Sequence, residues 1–260
     1  MVIANDQEDA AVSFYNHPQH LSRANLAHLS TLSAELSEQL FQGPVLTQGN
    51  SRIGIEATRH HLILVVQCLE ANTRDWATDL SAQLVPWPPL GRVHQGFLRQ
   101  AQELLPRIRP VLAKELRSGM ALWLCGHGLG GAVASVLAAE LALNEDIELT
   151  GLCTFGSPRV FDNQLAGAME ALLGERYWRV VNDEDVITRL PPRCFGYRHG
   201  GQLSYFDATG RLHLGGGQPW WEGFWDRCHY HGQWLFAKDM KDIAEHAVDE
   251  YQLLSLGSKS

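Results

Sequence analysis

The stretch WLCGHGLGGAVAS, Trp123 to Ser135, constrains the fold of this chain more than any other. Apolar residues run into Gly126, then Gly128, Gly130 and Gly131 follow closely, and a run of small residues continues at helical length. The pattern reads as strand, sharp turn, helix. A turn that tight calls for glycine, because a Cβ there strikes the strand being left or the helix being entered. In an α/β protein, such a junction lies at the carboxyl end of a central strand, where ligands and catalytic groups collect. Gly126, Gly128 and Gly131 also spell GxGxxG, the dinucleotide fingerprint. The acid that fingerprint needs about 20 residues further on has only Glu145, Asp146 and Glu148 as weak candidates.

The flanking segments agree with an alternating architecture. Leu26, Leu29, Leu32, Leu36 and Leu40 recur at helical spacing, so NLAHLSTLSAELSEQLF is expected to form an amphipathic helix closing at Gly43 and Pro44. RIGIEAT and HLILVVQCL read as strands, the second apolar enough for burial on both faces. QLVPWPPLG is broken by Pro86, Pro88 and Pro89 and reads as a loop or covering flap. VHQGFLRQAQELLPRIRPVLAKEL has helical spacing with Pro106 and Pro110 inside it, which predicts a kinked or split helix. MALWLC, LTGLCTFG and YWRVVN are further strand candidates, and GGAVASVLAAELAL a helix. Strands alternating with helices predict a doubly wound, mostly parallel sheet flanked by helices.

Composition narrows the function classes. A chain of 260 residues, 45% of them hydrophobic, can bury one sizeable core, so residues 1–260 are expected to form a single domain, with 1–50 an N-terminal helical segment and 51–256 the core. A net charge of -8 without a Lys/Arg cluster argues against a nucleic-acid partner. Cys68, Cys125, Cys153, Cys194 and Cys228 are odd in number and lack metal-type spacing. They read as reduced, mostly buried thiols, which favours a cytoplasmic setting. The opening MVIANDQEDAAVSF has no basic n-region, and no run reaches the roughly 18 apolar residues of a bilayer span, although a non-classical export route stays open. No cofactor or metal is expected; the His229/His231 pair has no acid or cysteine set around it.

Several motifs in order give the chain a close resemblance to the class 3 lipase family, the fungal-lipase-like branch of the α/β-hydrolases. They are RDWATDL, PPLGRVHQGF, GHGLGGAVAS (family form GHSLGGA), TFGSPRVFD, RVVNDEDVITRLPP with FGYRHGG, and EHAVDEY, spanning roughly Ile53 to Leu254. The resemblance implies the α/β-hydrolase fold and an ester-hydrolase ancestry. It implies that Asp185 is the acid orienting the catalytic histidine, with Asp183 as fallback, and that His246 is the general base, with His229 and His231 as competitors. His94 and His199 match positions that look structural, and His127 is expected to be a buried, hydrogen-bonded neighbour of the turn.

Two departures from the family pattern bear on chemistry. Gly128 stands where the family places its nucleophilic serine, so no acyl-enzyme can form there; losing that serine costs on the order of 10⁶ in kcat. After the ILVV strand, the family's FRGS- or FRGT-like segment supplies one side of the oxyanion hole, whereas this chain reads CLEA, Cys68 to Ala71. Ala71 replaces the hydroxyl, a loss of about 2.7 to 4 kcal/mol. Glu70 adds a carboxylate where negative charge would develop, worth roughly 3 kcal/mol of repulsion at about 5 Å and an effective dielectric of about 20. Leu129 still offers its backbone N–H. A single designed exchange at 128 would leave CLEA untouched, so two related losses fit a lipase-like protein that has left acyl-enzyme chemistry.

Three functions compete at this stage. The first is a catalytically inactive or impaired pseudo-lipase that binds an acyl or other lipid-like ligand, or a protein partner. Its cleft is deepened by the missing side chain at 128 and walled by the Pro-rich VPWPPLG and Trp-rich GGGQPWWEGFWDRCHYHGQW loops, unless their aromatics are ordinary core residues. The second is an active ester hydrolase in which His246 activates water, or in which Cys68 substitutes as nucleophile. The third is a scaffold, for which only the N-terminal helix offers a docking face.

Overall fold

The computed structural model describes residues 23–69, 83–88, 90–182, 185, 187–207, 209–214 and 250–257. The chain enters through helix α1 (Arg23–Ser37), whose Leu26, Leu29, Leu32 and Leu36 are buried as their spacing predicts. Leu40 departs from that expectation. The helix ends at Ser37, Gln39 turns into the left-handed region at φ 62°, and Leu40 is left 57% exposed. Strand β1 (Val45–Gln48) then pairs antiparallel with β2 (Ser51–Ala57) across the Gly49–Asn50 turn, where Gly49 takes φ 55°. That dipeptide is a hairpin signal which the search for longer apolar runs passed over.

β3 (His61–Cys68) pairs antiparallel with β2 and parallel with β6 (Ala121–His127). The sheet continues in parallel through β7 (Gly151–Phe155), β8 (Tyr177–Asn182) and β9 (Gln202–Phe206), and closes with the short antiparallel β10 (Leu212–His213). The strand order is β1-β2-β3-β6-β7-β8-β9-β10. Alternation along the strands divides the apolar residues between two faces. Leu62, Leu64, Val66, Leu122 and Leu124 pack with helices α2 (Gln95–Glu115), α3 (Gly128–Ala139) and α4 (Asn163–Leu173). Ile63, Val65, Trp123 and Cys125 pack with α1 and with Tyr251 and Leu254. This is the doubly wound, mostly parallel sheet anticipated from the alternating pattern, and burial of β3 on both faces explains its unbroken apolar run.

Two expectations need correction. α2 is one uninterrupted helix with Pro106 and Pro110 inside it, not two pieces. The prolines lie four apart on the exposed side, opposite the buried Leu104, Leu105, Ile108 and Leu112, so the carbonyls they leave unbonded lie toward water. The segment read as a flap is a two-stranded ribbon, β4 (Leu84–Pro86) with β5 (Arg92–His94), and its Trp87 is a core residue. Trp87 Nε1 donates to the buried Glu140 at 2.7 Å, and Asn144 donates to the other Glu140 oxygen at 2.8 Å. Trp87→Phe keeps most of the apolar volume and strips one donor from a buried carboxyl. Denaturant unfolding is expected to show a loss of about 1–3 kcal/mol.

Of the five cysteines, Cys125 and Cys153 are buried in strands, and burial pushes the Cys125 thiol up to about 12 and the Cys153 thiol well above the ordinary value. Cys68 is half-buried against Gln100 at 3.1 Å, and Cys194 is exposed, contrary to its expected burial. Cys228 lies outside the described residues. No described helix is long and apolar enough to cross a membrane.

Candidate functional site

The glycine turn at the end of β6 has a steric basis that can be read position by position. β6 lies beside β3 with Val66 opposite Gly126, and α3 starts at once after His127. A Cβ on Gly126 would sit 2.6 Å from the Gly130 carbonyl carbon and 2.7 Å from the Val66 oxygen. A Cβ on Gly130 would strike that same Val66 oxygen, and one on Gly131 would lie 2.8 Å from the Gly126 oxygen. Backbone presses on backbone at three of the four glycines. Gly128 is different. It takes φ 55°, and a Cβ built on it meets no atom of the described residues within 4 Å.

The chain therefore holds at 128 the left-handed turn conformation in which a nucleophile elbow presents its reagent, with none of the described residues where a side chain would project. The contrast predicts unequal costs. Gly126→Ala forces backbone apart and should destabilise by about 3 kcal/mol, whereas Gly128→Ala should cost only the left-handed penalty, about 1–2 kcal/mol. Parallel urea unfolding of the two variants measures the difference.

Leu129 follows Gly128 in the first turn of α3, buried, at the positive end of the helix. On the neighbouring strands, β7 leads into Gly156 and β8 into the loop carrying Asp185. Asp185 is buried after a tight turn in which its N–H bonds the Asn182 oxygen at 2.9 Å. Its Oδ1 accepts from the Ile187 N–H at 2.9 Å, and its Oδ2 accepts from the Tyr251 hydroxyl at 2.8 Å. Tyr251 Oη in turn accepts from the Asn182 N–H at 2.7 Å. Burial raises the Asp185 carboxyl to about 6, against the lowering pull of the Tyr251 and Ile187 bonds.

The loop beyond Asp185 is fixed from three sides. Thr188 Oγ1 donates to the Asp185 carbonyl at 2.9 Å, and the His199 ring donates to the Thr188 carbonyl at 2.6 Å. The fully buried Arg159 donates to the carbonyls of Arg189 and Pro191. Burial, together with the nearby Arg179 and Arg159, drives the His199 pKa well below its ordinary value, so the ring is neutral. His94 is buried and stacked on Phe97 with centroids 4.2 Å apart. Both rings are built into the packing.

His127, Tyr251 and Asp185 converge on Gly156. A Cβ on that glycine, at φ 57°, would fall 2.6 Å from Asp185 Oδ2, 3.1 Å from the Tyr251 ring and 3.3 Å from His127 Nε2. His127 was expected to be hydrogen-bonded, yet its buried Nε2 has no partner among the described residues; its ring packs edge-on against Tyr251 at 5.5 Å. Burial lowers its pKa to about 4. The Tyr251 bond to Asp185 and the role of Gly156 escaped sequence reasoning, although both residues fall in motifs quoted above. A motif letter carries no partner.

Gly128, Leu129 and Asp185 thus lie beyond the carboxyl ends of β6 and β8, parallel strands on either side of β7, where such sheets gather their ligands. Glu70, Ala71 and His246, the remaining expected site residues, lie outside the described residues, as do Asp183, His229 and His231. Among the described residues no group of three His, Cys, Asp or Glu side chains is placed to hold a metal ion.

Comparison with known proteins gives this architecture relatives. The family model for lipase (class 3) matches residues 63–195. A secreted mono- and diacylglycerol lipase 1 of Fusarium solani is 40% identical over 132 residues, 49% of this chain and 39% of its own length. A lipase of Rhizomucor miehei is 32% identical over 139 residues, 51% of this chain and 38% of its own. The chain thus spans about two fifths of the length of these curated relatives. Among solved structures, a triacylglycerol lipase with a serine-protease-type triad superposes with a TM-score of 0.58 at 21% identity, covering 74% of this chain and 82% of that one. The Rhizomucor miehei lipase in complex with its propeptide gives 0.59 at 21% identity, covering 80% and 71%. With the family model extending from β3 through the loop after Asp185, and fungal lipases sharing the sheet, this chain belongs to the class 3 lipase family and has the α/β-hydrolase fold.

Proposed function

We propose that this protein is a lipase relative that has abandoned acyl-enzyme chemistry and uses the cleft above its glycine elbow to bind an acyl or similarly apolar ligand. The observation that carries this reading is Gly128: the elbow backbone is kept at φ 55°, and no described residue comes within 4 Å of the place a serine Cβ would take. In this reading Asp185 and His246 keep the places of acid and base, and Leu129 keeps one oxyanion donor. Glu70 and Ala71 stand in the segment that completes the hole in active relatives. One donor beside a carboxylate does not stabilise a tetrahedral oxyanion.

The same place supports a second reading. A water molecule held beside Gly128 and deprotonated by His246 could attack an ester directly, with no covalent intermediate. Cys68 is a weaker substitute nucleophile, since its thiol is engaged with Gln100.

The test is hydrolysis of a short-chain chromogenic ester by the protein as it stands and by His246→Ala, run beside a binding titration with a fluorescent fatty acid. Saturable uptake without turnover is the expected result. Turnover that disappears in His246→Ala would establish the second reading in place of the first. Neither uptake nor turnover would leave a protein partner as the function of the retained fold.

A further inference from the structure

A second cavity, of about 620 Å³, opens at the other end of the sheet. It lies where β2 ends at Ile55–Ala57 and β3 begins at His61, whereas the elbow follows the far end of β6. Its apolar walls come from three directions: Leu32 of α1, Phe41 and Leu46 around β1, and Pro110 and Val111 of α2. Gly54 shapes one wall, because a Cβ there would lie 2.9 Å from the Phe41 ring, and its absence lets that ring lie against β2. The volume falls in the range of small-molecule sites.

The charged groups on this lining are unbalanced. Glu35, Glu56 and Glu115 face one cation, Lys114, and that cation is already paired with Glu115 at 2.8 Å. Glu56 Oε1 is bonded by His28 at 2.9 Å and by His61 at 3.1 Å. Burial alone would raise its pKa, and these two bonds outweigh burial and hold it at about 2, so Glu56 is ionised at every physiological pH. No described residue pairs with the Glu35 carboxylate. An apolar chamber bordered by two paired carboxylates and one with no described partner selects against anions and favours a cation with an apolar body. Residues 1–22 are a poor occupant, since they carry Asp6, Glu8 and Asp9 and no Lys or Arg. A second copy of the chain brings a net charge of -8 and is likewise repelled.

We propose that this cavity is a second binding site, separate from the elbow, for a small apolar cation: one ammonium group on a hydrocarbon or aromatic body. Glu35 meets the ammonium, and Phe41, Leu46, Ile55 and Val111 cover the apolar part. The site is independent of the elbow reading, and each can fail without the other.

The experiment is an amide-resolved NMR titration of the full chain with n-octylammonium, n-octanol and octanoate, each below its aggregation concentration, at pH 7. Octylammonium is expected to shift the amides of Leu46, Ile55, Ala57 and Val111, leave Gly128 to Gly131 unmoved, and bind more tightly than octanol, with octanoate weakest. Glu35→Gln should weaken octylammonium by about three- to fivefold, the worth of one half-exposed ion pair, while octanol is unchanged. Val111→Trp, which fills the chamber, should abolish binding. Equal affinity for all three probes, shifts confined to the elbow, or an unchanged affinity in a folded Glu35→Gln would each overturn the proposal.

Discussion

If the proposed loss of acyl-enzyme chemistry holds, Gly128→Ser is expected to turn the protein into a measurable esterase. The elbow already holds φ 55°, and a Cβ there meets no described residue within 4 Å, so the new side chain displaces none of them. Stability should fall by about 1–2 kcal/mol, the left-handed penalty for a residue with a Cβ. Serine loss in a complete triad is worth on the order of 10⁶ in kcat, and a damaged oxyanion hole takes back about 10²–10³ of it. A gain of roughly 10³-fold over the parent is therefore expected, with a covalent acyl adduct visible by mass spectrometry. Adding Glu70→Gly and Ala71→Ser should raise the rate about 10²-fold more. A folded Gly128→Ser protein that forms no adduct, even with both further changes, would remove Asp185 and His246 from the roles proposed for them.

Asp185→Asn is expected to change the pH dependence of stability by about 3 kcal/mol, which is a two-unit pKa shift at about 1.4 kcal/mol per unit. In the folded chain burial raises this carboxyl to about 6 from its ordinary 3.8. Between those values the folded state binds more protons than the unfolded, so the Asp185 contribution weakens as pH rises and is least favourable at neutral pH. His127 pulls the other way. Its pKa is lowered to about 4 from 6.5, so its contribution is lost as pH falls below 6.5. The parent should therefore look flat from pH 4 to 6, with the two slopes hidden in each other. The asparagine variant, whose single carbonyl oxygen can still accept from the Ile187 N–H while its NH2 faces the Tyr251 hydroxyl, exposes the histidine slope. Its stability relative to the parent should be highest at pH 7 and fall steadily toward pH 4. An unchanged difference across that range would mean that Asp185 is not burdened by its burial.

What the sequence made legible were features imposed by backbone sterics. The glycines at 126, 130 and 131 each answer to a named backbone atom, and the apolar run of β3 answers to helices on both faces. The family resemblance singled out Asp185 between a strand end and a proline pair, and that carboxyl is buried and bonded by Ile187 and Tyr251. Less legible were features decided by tertiary partners. The end of α1 before Leu40, the continuity of α2 through two prolines and the burial of Trp87 over Glu140 each depend on which face meets the core. That no described residue bonds His127 Nε2 could not have been read at all, because hydrogen-bond satisfaction of a ring nitrogen is a property of the packed neighbourhood. The likeness of EHAVDEY to its family form named Tyr251, and only coordinates could join its hydroxyl to Asp185 and Asn182.

The elbow keeps its shape without the residue it normally displays, since the contacts that force the turn belong to Gly126, Gly130, Gly131 and Val66, none of them to position 128. Folding and reactivity at this point are therefore under separate control. A change at 128 alters what the site can do and leaves nearly untouched whether the chain folds. Glycine codons ending in a pyrimidine lie one base from serine, so the step between an elbow without a hydroxyl and one with it is short in sequence and shallow in stability. A scaffold of this kind can drift into silence and return by the same door, and the residues that bar other routes are the glycines whose missing side chains hold the turn in place.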